Sequence, residues 1–298
     1  MEIGKIKGNS YFLKSFTNIG LFIKDDIVTL IDSGLDDDAA KEIDDTLLRS
    51  NLKVNNIILT HAHSDHMGGA NYFQQKYNCN VLTTLADTAI ANLSIMNTSL
   101  IYGGIPINLA KGKMLYSKSC NAHLLTDKTT PSGIKIIDLR GHSINMIGVL
   151  TEDNVFYIAD SLVSKKTINK FPLTYILDIE NYFISMDKLL TVGAEYFVPS
   201  HAEIQDTESI KELIELNKDA VKQNIIDILY VLSEPLEIDD IVYNYCLAKG
   251  YTMKTSQFFV ATSTIKNYLA YLDKIEKVQA FIVDNRLFFK RIDEESTL

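Results

Sequence analysis

Short apolar runs alternate with amphipathic stretches over the first two-thirds of the chain. The apolar runs predict strands at residues 20–23, 27–31, 54–59, 133–139, 144–150, 155–159 and 196–198. Helical periodicity predicts helices at 36–49 and 182–192. The segment 97–131 is polar and irregular, which is typical of a lid or binding loop. This alternation predicts an α/β fold.

The last third of the chain has a different, mainly helical pattern. Helices are expected at 208–232, 239–248 and 256–277, followed by two apolar strands at 280–283 and 287–289. Asp284 and Asn285 join these strands in a turn that suits a tight hairpin. Helices followed by a hairpin predict a small winged-helix-like domain. We therefore expect two domains, a catalytic one at 1–205 and a C-terminal one at 206–298.

Composition narrows the class of protein. The chain is 46% hydrophobic and 22% charged, as in soluble globular proteins. A net charge of −9 argues against a protein that coats nucleic acid with its whole surface. The N-terminus shows no secretory pattern, and no apolar run is of bilayer length, so we expect a cytoplasmic protein without a membrane partner. Cys79, Cys120 and Cys246 are scattered, which indicates reduced, buried thiols.

A dense cluster of possible metal ligands follows the predicted strand 54–59. The sequence from His61 to His66 holds three imidazoles and a carboxylate within six residues. Imidazole and carboxylate are suitable ligands for zinc, iron or manganese. Gly68 and Gly69 come next and permit a close approach of backbone behind the cluster.

Three further potential ligands lie downstream. His142, Asp160 and His201 each follow an apolar strand, so each is expected at an edge of a sheet. Five of the six histidines of the chain belong to this set, and the remaining one, His123, is expected on a solvated loop. Chance is a poor explanation for this set, although any motif needs structural context.

The order of these motifs resembles the metallo-β-lactamase superfamily over roughly residues 10–205, and it looks most like the glyoxalase II and ribonuclease Z side. The resemblance implies an αββα sandwich with the site at one edge of two packed sheets. It further implies two divalent metal ions, most simply zinc, with iron or manganese as alternatives. The implied ligands are His61, His63 and His142 for one ion and Asp65, His66 and His201 for the other, with Asp160 bridging.

Three nearby residues qualify this resemblance. Asp32 matches the first motif of the family and is expected behind the ligands, although Asp before Ser-Gly is also ordinary turn chemistry. Arg140 stands where many relatives have proline, and Ser200 stands where glycine is common. Neither departure removes a ligand, but because both residues border the predicted metal site, the resemblance does not define the substrate pocket.

The implied ions allow a hydrolytic mechanism. Two divalent ions can hold a water between them and lower its pKa, and the resulting hydroxide can attack a carbonyl carbon or a phosphorus. Asp160 would set the spacing of the ions, and Asp65 would orient the nucleophile. The first substrate hypothesis is a small ester, thioester or lactone.

The second hypothesis is cleavage of single-stranded RNA. A catalytic domain with a winged-helix-like tail resembles the β-lactamase-like endoribonucleases, and the matching stretch is 263–272 with the hairpin after it. Residues 249–291 hold eight Lys or Arg against three Asp or Glu, an excess of +5, with aromatic residues interleaved. Such aromatics can equally form the core of the domain while the lysines form a solvated face.

Two other functions stay open. One is an iron-dependent persulfide dioxygenase, because such relatives keep the same histidine cluster. The other is a non-catalytic module, which is disfavoured because structural metal sites are normally closed and single. The C-terminal part would then bind RNA, cover the pocket or form a homodimer.

Overall fold

Two large β-sheets make up the centre of the computed structural model, which describes residues 1–293. Within these residues the first sheet has seven strands, whose spatial order follows the chain: β1 (Ile3–Lys7), β2 (Ser10–Leu13), β3 (Ile19–Lys24), β4 (Ile27–Ile31), β5 (Asn56–Ile58), β6 (Asn80–Thr83) and β7 (Ala122–Leu124). The pairs from β1 to β4 are antiparallel, and those from β4 to β7 are parallel.

The second sheet contains the strands β8 (Ile134–Asp138), β9 (Ile147–Thr151), β10 (Val155–Val163), β11 (Tyr196–His201) and β12 (Gln205–Asp206). Its spatial order is β12-β11-β10-β9-β8. The central pair, β10 and β11, is parallel, whereas the other pairs are antiparallel. A separate hairpin follows near the C-terminus and is formed by β13 (Val278–Val283) and β14 (Arg286–Arg291).

Helices cover the outer face of each sheet. They are α1 (Asp37–Arg49), α2 (Ser64–Met67), α3 (Ala70–Tyr77), α4 (Leu85–Asn92), α5 (Ile95–Tyr102), α6 (Lys165–Lys170), α7 (Ile179–Leu189), α8 (Ser209–Val231), α9 (Ile238–Ala248) and α10 (Thr255–Lys274), with a 3-10 turn at Asn108–Ala110. No helix within the described residues is both long enough and apolar enough to cross a membrane.

Three apolar cores separate the layers. Between the sheets, Phe22 and Ile58 of the first sheet pack with Val149 and Tyr157 of the second. Residues of α1 and α3 pack on the outer face of the first sheet, and α7 and α8 pack on the outer face of the second. The order of layers is therefore helix, sheet, sheet, helix, which confirms the predicted αββα sandwich.

The C-terminal region of helices and strands is present, as expected, and it shares a core with the second sheet. One apolar cluster extends from Phe156 in β10 to Tyr245 in α9 and Tyr268 in α10. Asn224 of α8 is buried within this cluster, where it accepts a hydrogen bond from the Tyr245 hydroxyl at 2.7 Å. This shared core holds α10 against the layers that contain the second sheet.

The prediction of an irregular loop over 97–131 is wrong in part, because α5 ends inside this segment and β7 lies within it. In α5 the buried positions do not follow the hydrophobicity of the residues. Thr98 is buried and donates its hydroxyl to the Leu115 carbonyl at 2.5 Å, whereas Leu100 is 53% exposed. Hydrogen bonding of a buried polar side chain therefore stabilises a helix that hydrophobic periodicity does not reveal.

Other boundaries differ from the prediction by a few residues. Helix α7 begins at Ile179 because the Asp178 carboxylate caps it, accepting a hydrogen bond from the Asn181 amide at 3.0 Å. The predicted strand 144–150 begins only at Ile147.

The C-terminal hairpin and the cysteines match their predictions. The turn residues Asp284 and Asn285 have φ values of 49° and 64°, which a tight two-residue hairpin turn requires. The chain's three cysteines are free and buried, as expected.

Candidate metal centre

The loop after β5, which carries the histidine cluster, is anchored by two buried carboxylates. Asp32, just after β4, accepts a hydrogen bond from the Thr60 amide at 2.8 Å, and its two oxygens share the single Thr60 hydroxyl donor at 3.0 and 2.9 Å. Asp87 of α4 accepts a hydrogen bond from the Ala62 amide at 2.9 Å. Because neighbouring elements hold its backbone, the loop presents its imidazoles in fixed directions.

The two glycines behind the cluster allow close backbone packing. A Cβ atom on Gly68 would lie 1.8 Å from the Leu35 carbonyl oxygen, and one on Gly69 would lie 2.2 Å from the Ser33 carbonyl oxygen. No larger residue fits at either position without a backbone shift. The close approach predicted for this pair is confirmed.

His61, His63 and His142 form the first of two ligand clusters. The Nδ1 atom of His63 lies 3.0 Å from His61 Nε2 and 2.9 Å from His142 Nε2. His142 Nδ1 lies 3.0 Å from the Tyr175 carbonyl oxygen, which can only accept, so this nitrogen carries the proton. His142 Nε2 is therefore left with its lone pair facing the cluster, as a metal ligand requires.

Asp65, His66, Asp160 and His201 form the second cluster. The Asp65 Oδ2 atom lies 3.2 Å from His201 Nε2 and 3.7 Å from His66 Nε2. Asp160 Oδ1 lies 3.2 Å from His66 Nε2. All seven residues that the sequence singled out are therefore brought to one edge of the two sheets.

Asp160 lies between the two clusters. Its Oδ2 atom is 3.4 Å from His142 Nε2, in the first cluster, and 3.5 Å from His201 Nε2, in the second. Its Oδ1 atom faces His66. A carboxylate in this position has an oxygen available to each of two ions.

The donor atoms fit divalent ions. His66 Nε2 and Asp160 Oδ1 are buried and lie 3.2 Å apart, but neither makes a well-directed hydrogen bond to any residue that the structure describes. Buried polar atoms without partners are rare and costly, and an ion between these two atoms would satisfy both. Ligands about 2.0–2.1 Å from a tetrahedral zinc ion lie about 3.3 Å apart. The 3.2 Å separation of these atoms agrees with this value.

The two clusters differ in their protonation without metal. Burial lowers the pKa of His63 to about 3, with a further contribution from His142. Burial also lowers the pKa values of His61 and His142. In the second cluster, burial opposes protonation, but Asp160 and neighbouring carboxylates outweigh it and raise the pKa of His201 to about 10.

The same charges act on the other members of the second cluster. The pKa of His66 is raised well above its ordinary value, because Asp160, Asp65 and Asp32 together outweigh its burial. The pKa values of Asp65 and Asp160 are lowered, because the neighbouring histidines outweigh the burial that would raise them. Ionised carboxylates and protonated histidines therefore compensate one another, and divalent ions can replace the protons.

Asp32 lies behind the ligands, as expected from the sequence. Its Oδ2 atom accepts a hydrogen bond from His66 Nδ1 at 2.8 Å. This contact directs His66 Nε2 toward the second cluster and increases its basicity as a ligand. Asp32 has a φ of 67°, so its backbone adopts a conformation that is uncommon for a residue other than glycine.

Sequence reasoning missed three residues that support the centre. Tyr175 provides the carbonyl that orients His142, and Thr17 donates its hydroxyl to Asp65 Oδ2 at 3.3 Å. The third is Asp87, which anchors the loop after β5. All three lie outside the motif segments, and hydrophobic periodicity carries no signal for them. His123 lies on β7 and is exposed, away from the centre.

The sequence matches the family model of the metallo-beta-lactamase superfamily over residues 13–201, a range that includes every ligand named above. Members of this superfamily are typically metal-dependent hydrolases. A search of curated proteins finds no match to the sequence.

Solved structures of this superfamily share the fold. A metallo-beta-lactamase family protein from Thermus thermophilus has a TM-score of 0.71 and 18% identity, and the match covers 95% of this chain and 99% of that one. A beta-lactamase domain protein from Burkholderia ambifaria has a TM-score of 0.72 and 16% identity, and the match covers 97% of this chain and 94% of that one. The subclass B3 metallo-beta-lactamase MEM-A1, from a soil metagenome library, has a TM-score of 0.58 and 14% identity, with 75% and 95% covered. The first two matches thus extend into the C-terminal helices.

Replacing Asp32 by Asn is expected to weaken binding of a divalent ion at the second cluster by about 10–100-fold. The neutral amide makes a weaker hydrogen bond with His66 Nδ1 and so orients this ligand less firmly. Competition with a chelating indicator measures the affinity, and Asp26→Asn, at an exposed aspartate, is the control. Wild-type affinity in folded Asp32→Asn would contradict the orienting role of this carboxylate.

Metal loading is expected to release protons from the second cluster and not from the first, because only His66 and His201 are protonated beforehand. Calorimetric titration at neutral pH, in buffers with different heats of ionisation, counts these protons. The count should fall further in His201→Ala than in His63→Ala, which can lose only the proton that a metal-bound water releases. Equal falls in the two variants would refute the assigned protonation states.

Proposed function

Because this chain belongs to the metallo-beta-lactamase superfamily, we propose that it is a dinuclear metal-dependent hydrolase of a small ester, thioester or lactone. The observation that supports this proposal most directly is the position of Asp160, whose two oxygens face both ligand clusters. A single-ion site would not need a buried carboxylate between two groups of imidazoles.

We expect two zinc ions, one held by each cluster, with iron or manganese as possible replacements because the ligands are all imidazole and carboxylate. When bound, such a pair supplies an activated water and stabilises negative charge that develops on the substrate oxygen. The cysteine thiols take no part as ligands. Burial raises the pKa of Cys246, the cysteine that lines the cavity beside the centre, so its thiol is also a poor nucleophile.

The protein's own side chains orient the reacting groups. Asp65 accepts a hydrogen bond from Thr17, which restrains its carboxylate beside His201. Because the pKa of Asp65 is low, the carboxylate stays ionised and can accept a hydrogen bond from an incoming water. Phe16 packs edge-on against His201, with ring centroids 5.8 Å apart, and limits solvent access on that side.

A small substrate is favoured because the centre opens into a mostly apolar cavity of about 480 Å³. Small-molecule sites typically occupy about 300–1,000 Å³ and are lined mainly by apolar side chains. Helix α10 of the C-terminal region forms part of this wall through Val260 and Ala261. This position supports a pocket-covering role for the C-terminal region.

Single-stranded RNA is the second candidate substrate, and the contacts of the basic segment support it less well. At least four of its eight basic residues form ion pairs with described residues, and their acidic partners are Asp227, Glu180, Glu237 and Asp293. Tyr268, one of its aromatic residues, is fully buried in the shared core. The segment therefore offers less free charge and fewer stacking surfaces than its composition suggests.

The other two functions have less support. A persulfide dioxygenase needs one iron, whereas two ligand sets are present with a carboxylate between them. A purely structural metal site is normally closed, whereas Asp65, Asp160 and His201 line an open cavity.

Replacing Asp160 by Asn is expected to lower metal occupancy and turnover together, because the neutral amide removes the charge shared by both clusters. Metal content is measured by elemental analysis and turnover with a thioester. Asp127→Asn, at an exposed aspartate, is the matched control. Full activity with full occupancy in Asp160→Asn would rule out the bridging role.

The substrate class is tested on the same preparation. Metal-loaded protein is incubated with a labelled single-stranded RNA and, separately, with a thioester, each beside a His63→Ala control. We expect thioester hydrolysis and intact RNA from the wild type, and neither reaction from the variant. Cleavage of the RNA by the wild type and not by His63→Ala would contradict the ester hypothesis and support an endoribonuclease.

A further inference from the structure

Two chambers adjoin the metal centre and differ in polarity. The first, which we call the acyl chamber, has a volume of about 480 Å³ and includes Asp65, His142, Asp160 and His201 in its wall. The second, which we call the polar chamber, has a volume of about 240 Å³ and includes His63. Tyr175 contributes to the walls of both. A substrate held at the ions can therefore extend in two directions.

The remaining wall of the acyl chamber is mainly apolar. Phe171 and Leu173 contribute from the segment between α6 and α7, and Tyr251 contributes from the loop between α9 and α10. On α10, Val260 and Ala261 follow Gln257 by three and four residues, so all three lie on one helical face. Ala261 is buried, and its small side chain lines the chamber.

The wall of the polar chamber is mostly apolar, but its apolar share is smaller than in the acyl chamber and several hydrogen-bonding groups also line it. Ser143 is buried, and its hydroxyl has no hydrogen-bond partner among the described residues, although it lies directly after the ligand His142. Lys266 and Asn267 of α10 also line this chamber. Asn267 donates its amide to the Ile176 carbonyl at 2.9 Å, which fixes the helix beside the chamber.

Tyr175 separates the two chambers at the centre. Its ring packs edge-on against His63 and His142, with centroid distances of 5.5 Å and 5.8 Å. Burial raises the pKa of its hydroxyl, opposed by hydrogen bonds with Ser263 and Asn267 of α10. The tyrosine is therefore neutral and held from both sides, so the division between the chambers is built into the fold.

We propose that the substrate is an acyl ester or thioester with an extended apolar acyl chain, bound in the acyl chamber, and a polar leaving group, bound in the polar chamber. This inference rests on the proposed hydrolase function and specifies its substrate class. Water adds to the acyl carbon, and the bond to sulfur or oxygen breaks. The OH of the water stays on the acyl carbon, and its other hydrogen passes to the leaving thiol or alcohol.

The first test is a series of acetyl, butanoyl, hexanoyl and octanoyl thioesters with the zinc-loaded protein. Each added methylene should raise kcat/KM about fourfold, as expected for burial of one CH₂ group, until the chamber is filled. A flat or falling profile would overturn the proposal. The matched variants are Ala261→Phe, which fills the acyl chamber, and Ala248→Phe, on the exposed surface of α9.

In Ala261→Phe, the ratio of octanoyl to acetyl kcat/KM should fall at least about tenfold, since several methylenes lose their contacts. Ala248→Phe should keep the wild-type ratio. An unchanged ratio in folded Ala261→Phe would show that the chain binds elsewhere.

A binding test separates this proposal from the hydrolase function. The chain has no tryptophan, so Tyr251→Trp places a single tryptophan, which can be excited selectively over the tyrosines, in the wall of the acyl chamber. Octanoate should change the fluorescence of the zinc-loaded variant at concentrations where acetate does not. A fluorescence response without thioester hydrolysis would support binding of the acyl chain in this chamber and contradict the hydrolase function. Hydrolysis without a fluorescence response would support the hydrolase function and contradict binding of the acyl chain in this chamber.

Discussion

A buried carboxylate between two groups of imidazoles is the constraint on which this structure depends. Asp160 lies on β10, a strand whose residues are all buried, and an uncompensated charge there would cost several kcal/mol. The backbone turns it toward the centre through Ala159, which has a φ of 50° where the pairing of β10 with β11 shifts register. Such a conformation costs about 1–3 kcal/mol. The interactions of the carboxylate with the surrounding histidines offset both the backbone strain and the cost of desolvation.

The fold supplies this compensation from separate parts of the chain. The loop after β5 and the short helix α2 contribute four ligands, while β11 contributes His201 and the loop before β9 contributes His142. These segments meet because the two sheets pack face to face with their edges aligned. The C-terminal region shares a core with the second sheet, and α10 therefore lies beside the two ligand clusters as a fixed wall of the adjoining cavity.

The sequence predicts the ligands better than it predicts their surroundings. His61 to His66, Asp160 and His201 follow apolar runs that predict strands, and that pattern predicts that they lie at a sheet edge. Strands β10 and β11 in fact extend through Asp160 and His201. The roles of Tyr175 and the buried Thr98 could not be predicted from the hydrophobic pattern, because these roles depend on contacts with other segments of the chain. The pocket wall is likewise assembled from separated regions of the chain, among them the segment between α6 and α7 and helix α10. Local periodicity carries no information on which of these regions meet, so the pocket becomes visible only in the folded chain.

The most direct measurement is anomalous X-ray diffraction from crystals of the zinc-loaded protein. The account predicts two ions about 3.5–4 Å apart, one bound by His61, His63 and His142 and the other by Asp65, His66 and His201, with Asp160 in contact with both. A single ion, or an Asp160 carboxylate that contacts only one of two ions, would contradict it.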